Sequence, residues 1–250
     1  YLSCGFILEE GFPMDDLRRI CASMASSAAE AGVKLVTGDT KVVNRGHGDG
    51  IYINTSGVGA LAAARNLGGA QIQPGDAVLV TGTLGDHGIT IMSCREGLNF
   101  SADIESDAAP LNHLIAEVLE AAPNVRCFRD PTRGGLASTL NELAAQSNTD
   151  ITVDEEAVPV RDAVRGACEM LGYDVMQVAN EGKMVCVVPA DEADAALAAM
   201  RANRYGRAAA VIGTVTAAQP ERGPKVFLRT AFGSTRILDM LVGEQLPRIC

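Results

Sequence analysis

At 250 residues, 47% of them hydrophobic, the chain is long enough to bury one large core or two smaller ones. Its net charge of −10 lacks the basic footprint that nucleic acid or an anionic membrane surface requires, and no apolar run approaches the roughly 20 residues that span a bilayer. The seven cysteines are odd in number, widely spaced and without a CxxC pair, which argues against a zinc cluster; with no secretory signal they fit a reduced, cytoplasmic protein.

The chain opens on Tyr1 in what reads as the middle of a strand, residues 2–8, so an upstream segment is expected to be missing. Pro13 opens a helix on which Leu17, Ile20, Cys21 and Met24 recur at helical spacing to about Ala31. Residues 33–37 read as a short buried strand and 51–58 as another, with the polar, glycine-rich TGDTKVVNRGHGDG as the loop between them. The Pro-Gly-Asp punctuation in IQPGDAV marks a boundary, giving a first domain over 1–70 and a second over 71–232. The second begins with a strand at 77–81, followed by GTLGDHG and a helical stretch. A helix over 108–121 leads to the strand VRCF, and RDPTRGG opens a helix running to about Ala145. A helical pattern at 160–171 precedes NEGK and the strand 184–188; DEADAALAAMRAN is a helix, and AAVIGTVT and KVFLRT are strands. After Phe232 the pattern dissolves, and 233–250 reads as a mobile tail ending in Cys250. Strands and helices alternate at irregular intervals, which points to an α+β (mixed α/β) fold with antiparallel pairs.

Four stretches have residues suited to chemistry. In TGDTK, Asp39 offers a hard oxygen for magnesium and Lys41 a point charge for phosphate or, if desolvated, a base; taken alone, the stretch is better explained as a turn with two surface charges. In GTLGDHG, three glycines between strand and helix free backbone N–H groups to face an anion, but the spacing matches neither common phosphate-binding fingerprint. His87 in that stretch reads as a loop-packing residue. In RDPTRGG, Asp130 suits an N-cap and Pro131 the first helical position. That leaves Thr132, Arg133, Gly134 and Gly135 unexplained, because paired glycines in a first turn cost helix stability unless something approaches closely. In NEGK, Asn180, Glu181 and Lys183 flank Gly182 just before an apolar strand, as a hairpin-like turn or as an acid–base site.

Taken in order over essentially the whole chain, TGDTKVV, GTLGDHG, RDPTRGG, ANEGK and the terminal PRIC resemble the carbamoyl dehydratases of nickel–iron hydrogenase maturation. These belong to the ATP-binding superfamily of aminoimidazole ribonucleotide synthetase, selenophosphate synthetase and thiamine-phosphate kinase. The motifs are specific as a set; each alone is not. The resemblance implies barrel-forming strands in the first domain that make a homodimer. It also implies that the carbamoyltransferase HypF loads a carbamoyl group on Cys250, which is dehydrated with ATP and magnesium to a thiocyanate. The cyano group then passes to iron on a HypC–HypD scaffold. By match to the family motifs, Lys41 and Glu181 carry the proton transfers beside the acceptor Cys250. Asp39 and Asp130 hold magnesium. Asp39, Gly85, Asp86, Thr132, Arg133, Gly134, Gly135 and Asn180 bind the nucleotide. Without its upstream acidic residues, the chain is expected to turn over ATP poorly. Two other readings stay open: a small-molecule phosphotransferase of the selenophosphate or thiamine-phosphate type, and a carrier or docking module that does no chemistry.

Overall fold

The computed structural model describes residues 1–60, 65–97 and 104–240. The chain divides into two units, Tyr1–Arg65 and Asn66–Cys250. No described helix is long and apolar enough to cross a membrane.

In the first unit, β1 (Leu2–Glu9) is followed by α1 (Met14–Glu30), β2 (Leu35–Val43) and β3 (Ile51–Gly57). The sheet order is β2-β1-β3, with β1 parallel to β2 and antiparallel to β3. A parallel pair needs a crossover, and α1 supplies it. Two expectations fail here. The strand read as 33–37 extends through Val43, so TGDTKVV is strand and only residues 44–50 form the loop, pinned where the Glu9 carboxylate accepts the Gly46 and Gly50 N–H groups. Nor is that strand buried. Leu35 and Val36 are 40% and 58% exposed, because β2 lies at the sheet edge with β1 as its one neighbour. An apolar triplet reads as interior; edge position overrides it.

The second unit is a seven-stranded sheet of order β10-β9-β6-β8-β4-β7-β5. Its elements in chain order are β4 (Ala77–Val80), α2 (Asp86–Glu96), α3 (Asn112–Ala121), β5 (Cys127–Arg129), α4 (Gly135–Ser147), β6 (Thr149–Asp154), α5 (Asp162–Leu171), β7 (Val185–Val188), α6 (Ala193–Ala202), β8 (Ala210–Ala217), β9 (Val226–Arg229) and β10 (Thr235–Ile237). All pairings are antiparallel except β6 with β9. The central strands AVLV and VCVV are apolar at every position because both of their faces are covered. Val78, Val80, Val185 and Val187 pack with Leu136, Leu140 and Leu143 of α4, while Ala77, Leu79, Cys186 and Val188 pack with α3 and α6. Each such Leu or Val contributes roughly 1.5–3 kcal/mol through burial. The fold is mixed α+β, as the pattern predicts. TDITVD, unassigned in the sequence, is β6: its apolar positions Ile151 and Val153 alternate with polar ones and face the α4 side. The chain is also ordered beyond Phe232, where β10 pairs with β9 and Leu238 is fully buried. Residues 241–250, including Cys250, lie outside the described residues.

The thiols sort by burial. Desolvation, helped by the charge of Asp76, pushes the Cys127 thiol up to about 12; Cys186 beside it is also raised, and Cys168 is pushed up to about 11. Cys21 and Cys94 are exposed. A disulfide-exchange reagent at neutral pH should therefore label Cys21 and Cys94 within minutes and reach Cys127 and Cys186 only on unfolding, which peptide mapping would check.

Candidate functional site

In the first unit, strand alternation puts Asp39 and Lys41 on one face, two residues apart. The register places Asp39 beside Gly5 and Gly5 beside Asn54; the next row is Lys41, Ile7 and Tyr52. Gly5 leaves a gap in the first row: a Cβ there would meet only the Asn54 carbonyl, at 4.0 Å. The result is a cleft of about 450 Å³ lined by these residues with Phe6 and Ile53. Lys41 and Asp39 are its charged groups, exposed at its polar end, and an Asp39 oxygen accepts the Thr40 N–H at 2.8 Å.

The second unit brings three of the four motif stretches together, and Asn180 does it. Its Oδ1 accepts the Gly85 N–H at 2.8 Å, and its Nδ2 donates to the Pro131 and Val178 carbonyls at 2.9 and 3.0 Å. Asn180 is fully buried, so an unmade bond here would cost about 1–3 kcal/mol. Sequence reasoning placed it among nucleotide-binding residues. Its amide is spent inside the protein, and it acts as a strut between loops.

The glycines need a similar correction. Gly134 and Gly135 have φ of 74° and 60°, and Gly134, not Asp130, is the N-cap of α4. The left-handed pair delays the helix, so Asp130 lies outside it, 46% exposed and 3.6 Å from Arg129. A Cβ at Gly135 would fall 2.6 Å from the Val178 carbonyl oxygen and 2.7 Å from that of Met176. The close approach that this glycine permits is made by the chain itself. Gly85, with φ 85°, abuts Val164 and Val175 in the same way. Asp86 is buried, accepts a hydrogen bond from Thr83 and pairs with Arg161 at 3.4 Å. Of the residues assigned to the nucleotide in this unit, Thr132 and Arg133 are part-buried and exposed at the surface of the loop before α4.

Glu181 projects from the same junction, 30% exposed. Its backbone N–H and that of Gly182 donate to an oxygen of Asp107 at 3.0 and 3.3 Å, and the other Asp107 oxygen faces Lys183 Nζ at 3.2 Å. Lys183 is thus committed to an internal ion pair. Asp107 went unnoticed in the sequence, because in SDAAP it looks like one more polar residue before a helix.

Magnesium requires several converging oxygen ligands. Among the described residues no three Asp, Glu, His or Cys side chains come together. Asp39 belongs to the first unit and Asp130 to the second, and within its own unit neither meets two further such side chains, so neither unit by itself fits a magnesium centre.

Residues 1–61 match the N-terminal domain model of the AIR synthase related proteins, and residues 73–223 match the C-terminal domain model. The carbamoyl dehydratase HypE of Azotobacter vinelandii is 56% identical over 250 residues, covering 100% of this chain and 72% of that one. This chain belongs to the HypE family. A crystal structure of the hydrogenase maturation protein HypE in complex with ATP has a TM-score of 0.94 at 50% identity, covering 100% of this chain and 75% of that one. A crystal structure of a HypE–HypF complex has a TM-score of 0.91 at 46% identity, covering 96% of this chain and 77% of that one. For a HypE-family chain, the geometry above separates two kinds of motif residue: Asn180, Gly85, Asp86 and Gly135 build the loop junction, whereas Lys41 and Glu181 keep side chains open to a ligand.

Proposed function

We propose that this protein uses ATP to dehydrate an S-carbamoyl group on its own Cys250 to a thiocyanate, supplying cyano ligands for the iron of nickel–iron hydrogenase. The observation that carries this reading is the 56% identity to a carbamoyl dehydratase along the entire chain. The phosphotransferase alternative has no comparable support, and a docking module does not need the open Lys41 and Glu181.

The chemistry follows from the poor leaving ability of an amide oxygen. The carbamoyl oxygen attacks the γ-phosphorus of ATP and ADP departs, leaving the oxygen as a phosphate ester. Bases remove the two N–H protons as the C–O bond breaks, so phosphate leaves and the C≡N bond is completed. Lys41 in the first-unit cleft and Glu181 in the second unit are our assignments for these proton transfers. As an ammonium, Lys41 also attracts phosphoryl oxygens, and its service as a base requires substrate to displace the water around it. ATP enters as a co-substrate, and no step is routed through magnesium.

HypF as the carbamoyl donor is supported by a relative solved with that partner. A HypC–HypD scaffold as acceptor rests on the family resemblance, and the thiocyanate product calls for an iron centre to receive its cyano group. Exposed Ile7 and Tyr52 on one face of the three-stranded sheet, and Val42 and Ile53 on the other, support a homodimer made through that sheet. The free thiols of the described cysteines suit the reduced cytoplasm. The two-unit division supports an N-terminal domain over 1–70 and a C-terminal domain from 71 onward, and since β10 and the buried Leu238 extend the fold past Phe232, the tail that carries the acceptor starts after Leu238 rather than at 233.

Intact-mass measurement tests the reading. With HypF, carbamoyl phosphate and ATP, the full-length protein should gain one carbamoyl group and then lose one water. Lys41→Ala and Glu181→Ala should each keep the carbamoyl adduct and slow the water loss by about 10²-fold or more. An untouched tail with phosphate on a free small molecule favours the phosphotransferase, and a carbamoyl adduct that never loses water favours the carrier.

A further inference from the structure

The imidazole of His87 has one nitrogen in use and one waiting. Nδ1 lies 2.8 Å from Ser106 Oγ, while Nε2 is buried and has no hydrogen-bond partner among the described residues. That second nitrogen points toward Glu181, whose Oε1 is 4.0 Å away. A buried ring nitrogen without a partner is costly and uncommon in a native protein. At 4.0 Å the pair is slightly too long for a hydrogen bond, as catalytic pairs commonly are before substrate arrives.

The surroundings hold both members in place. Ser106 fixes the ring, and the next residue, Asp107, fixes the Glu181 backbone through the Glu181 and Gly182 N–H groups. Gly182 cannot be replaced without moving this segment, since a Cβ there would sit 1.7 Å from the Asp107 carbonyl oxygen. Lys183 balances the Asp107 charge at 3.2 Å. Two consecutive residues thus register a histidine on α2 against a glutamate from a separate loop.

We propose that His87 is the positioning and proton-relay partner of Glu181. This rests on the dehydratase reading and names a residue that the family motifs do not place at the chemistry. With Nδ1–H donated to Ser106, the lone pair of Nε2 faces the carboxylate. Glu181 takes a proton from the carbamoyl nitrogen and becomes a carboxylic acid. Its O–H then passes that proton to Nε2, leaving an imidazolium and restoring the carboxylate. The imidazolium releases its proton to solvent after phosphate leaves.

The test uses the full-length protein with HypF, carbamoyl phosphate and ATP. His87→Asn keeps a donor for Ser106 and removes Nε2. It should accept the carbamoyl group at the parent rate, keep the KM for ATP, and lower kcat for water loss by about tenfold or more. His87→Ala should regain part of that rate on addition of free imidazole. In the Glu181→Gln background, His87→Asn should cost nothing further, because residues acting as one unit are non-additive. Parent-like kcat in His87→Asn, or full additivity with Glu181→Gln, overturns the pair even while the parent protein dehydrates normally. If His87→Asn melts early, the additivity measurement in a folded Glu181→Gln protein carrying His87→Gln decides instead. A parent protein that takes up carbamoyl and never loses water overturns the dehydratase reading, and this proposal falls with it.

Discussion

Gly135→Ala should destabilise the C-terminal unit by about 2–5 kcal/mol, placing it among the most damaging single substitutions available. The backbone at this position has φ of 60°, which costs an alanine about 1–2 kcal/mol. The added Cβ would lie 2.6–2.8 Å from the Val178 oxygen, the Met176 oxygen and the Gln177 carbonyl carbon. All three are main-chain atoms and cannot rotate aside, so relief requires moving the turn at Val175–Gln177, at about 1–3 kcal/mol for overpacking. That turn leads directly into Val178 and Asn180, whose amide ties the three loops together, so the strain spreads to the junction that holds Glu181. Thermal unfolding followed by circular dichroism should show a midpoint lower by roughly 10 °C, at about 2–4 °C per kcal/mol for a unit of this size. Gly166→Ala is the control: nothing lies within 4 Å of its Cβ, and its place inside α5 makes alanine stabilising by about 0.5–1 kcal/mol. Had Gly135 been kept for the approach of a nucleotide, its alanine variant would fold normally and lose only ATP affinity. A midpoint within about 3 °C of the parent would favour that explanation over the present one.

The sequence made the central layer of the second unit legible, because burial of both sheet faces leaves an unbroken apolar signature in AVLV and VCVV, and helical periodicity marks α3, α5 and α6. It placed the start of β2 but not its continuation through Val43, since an edge strand with Thr, Gly, Asp and Lys has neither the alternation of a half-buried strand nor the length of a buried run. The same polar composition hid the fact that Asp39 and Lys41 share a face. For the loops, composition indicated that glycine was needed but not what approached it. At Gly135 the approaching atoms belong to the 175–180 segment, forty or more residues away in sequence, and in GTLGDHG they come from Val164, Val175, Val178 and Lys183, farther still. Asn180 and Asp107 illustrate the remaining limit. Each acts through partners that only the fold makes adjacent: Gly85 and Pro131 for one, the Glu181 backbone and Lys183 for the other.

Cys250→Ala should abolish carbamoyl acceptance altogether while leaving the melting midpoint unchanged. On the dehydratase reading Cys250 is itself the substrate, and no neighbouring side chain can substitute for a sulfur that must carry the group through every step. The exposed thiols Cys21 and Cys94 provide an internal check, since a carbamoyl group found on either of them in the Cys250→Ala protein would refute a dedicated acceptor. The fold also sets the reach of that acceptor more tightly than the sequence pattern does. The chain is fastened as far as Leu238, whose N–H donates to the Val226 carbonyl and whose carbonyl accepts from Asn141, both at 2.8 Å. Residues 239–250 separate this anchor from the acceptor, and that length of chain spans at most ~40 Å. Deleting residues 243–246, just ahead of Pro247, removes ~13 Å of that span. Acceptance from HypF should survive, because the partner can approach the shortened tip. Water loss should slow, because the carbamoyl sulfur must still return to groups fixed in its own fold, including Glu181 at the Asn180 junction. Time-resolved intact mass separates the two rates in one experiment. If the deletion leaves water loss at the parent rate while Cys250 still takes up carbamoyl, the thiol does not travel on its tether and the moving-tail account is wrong.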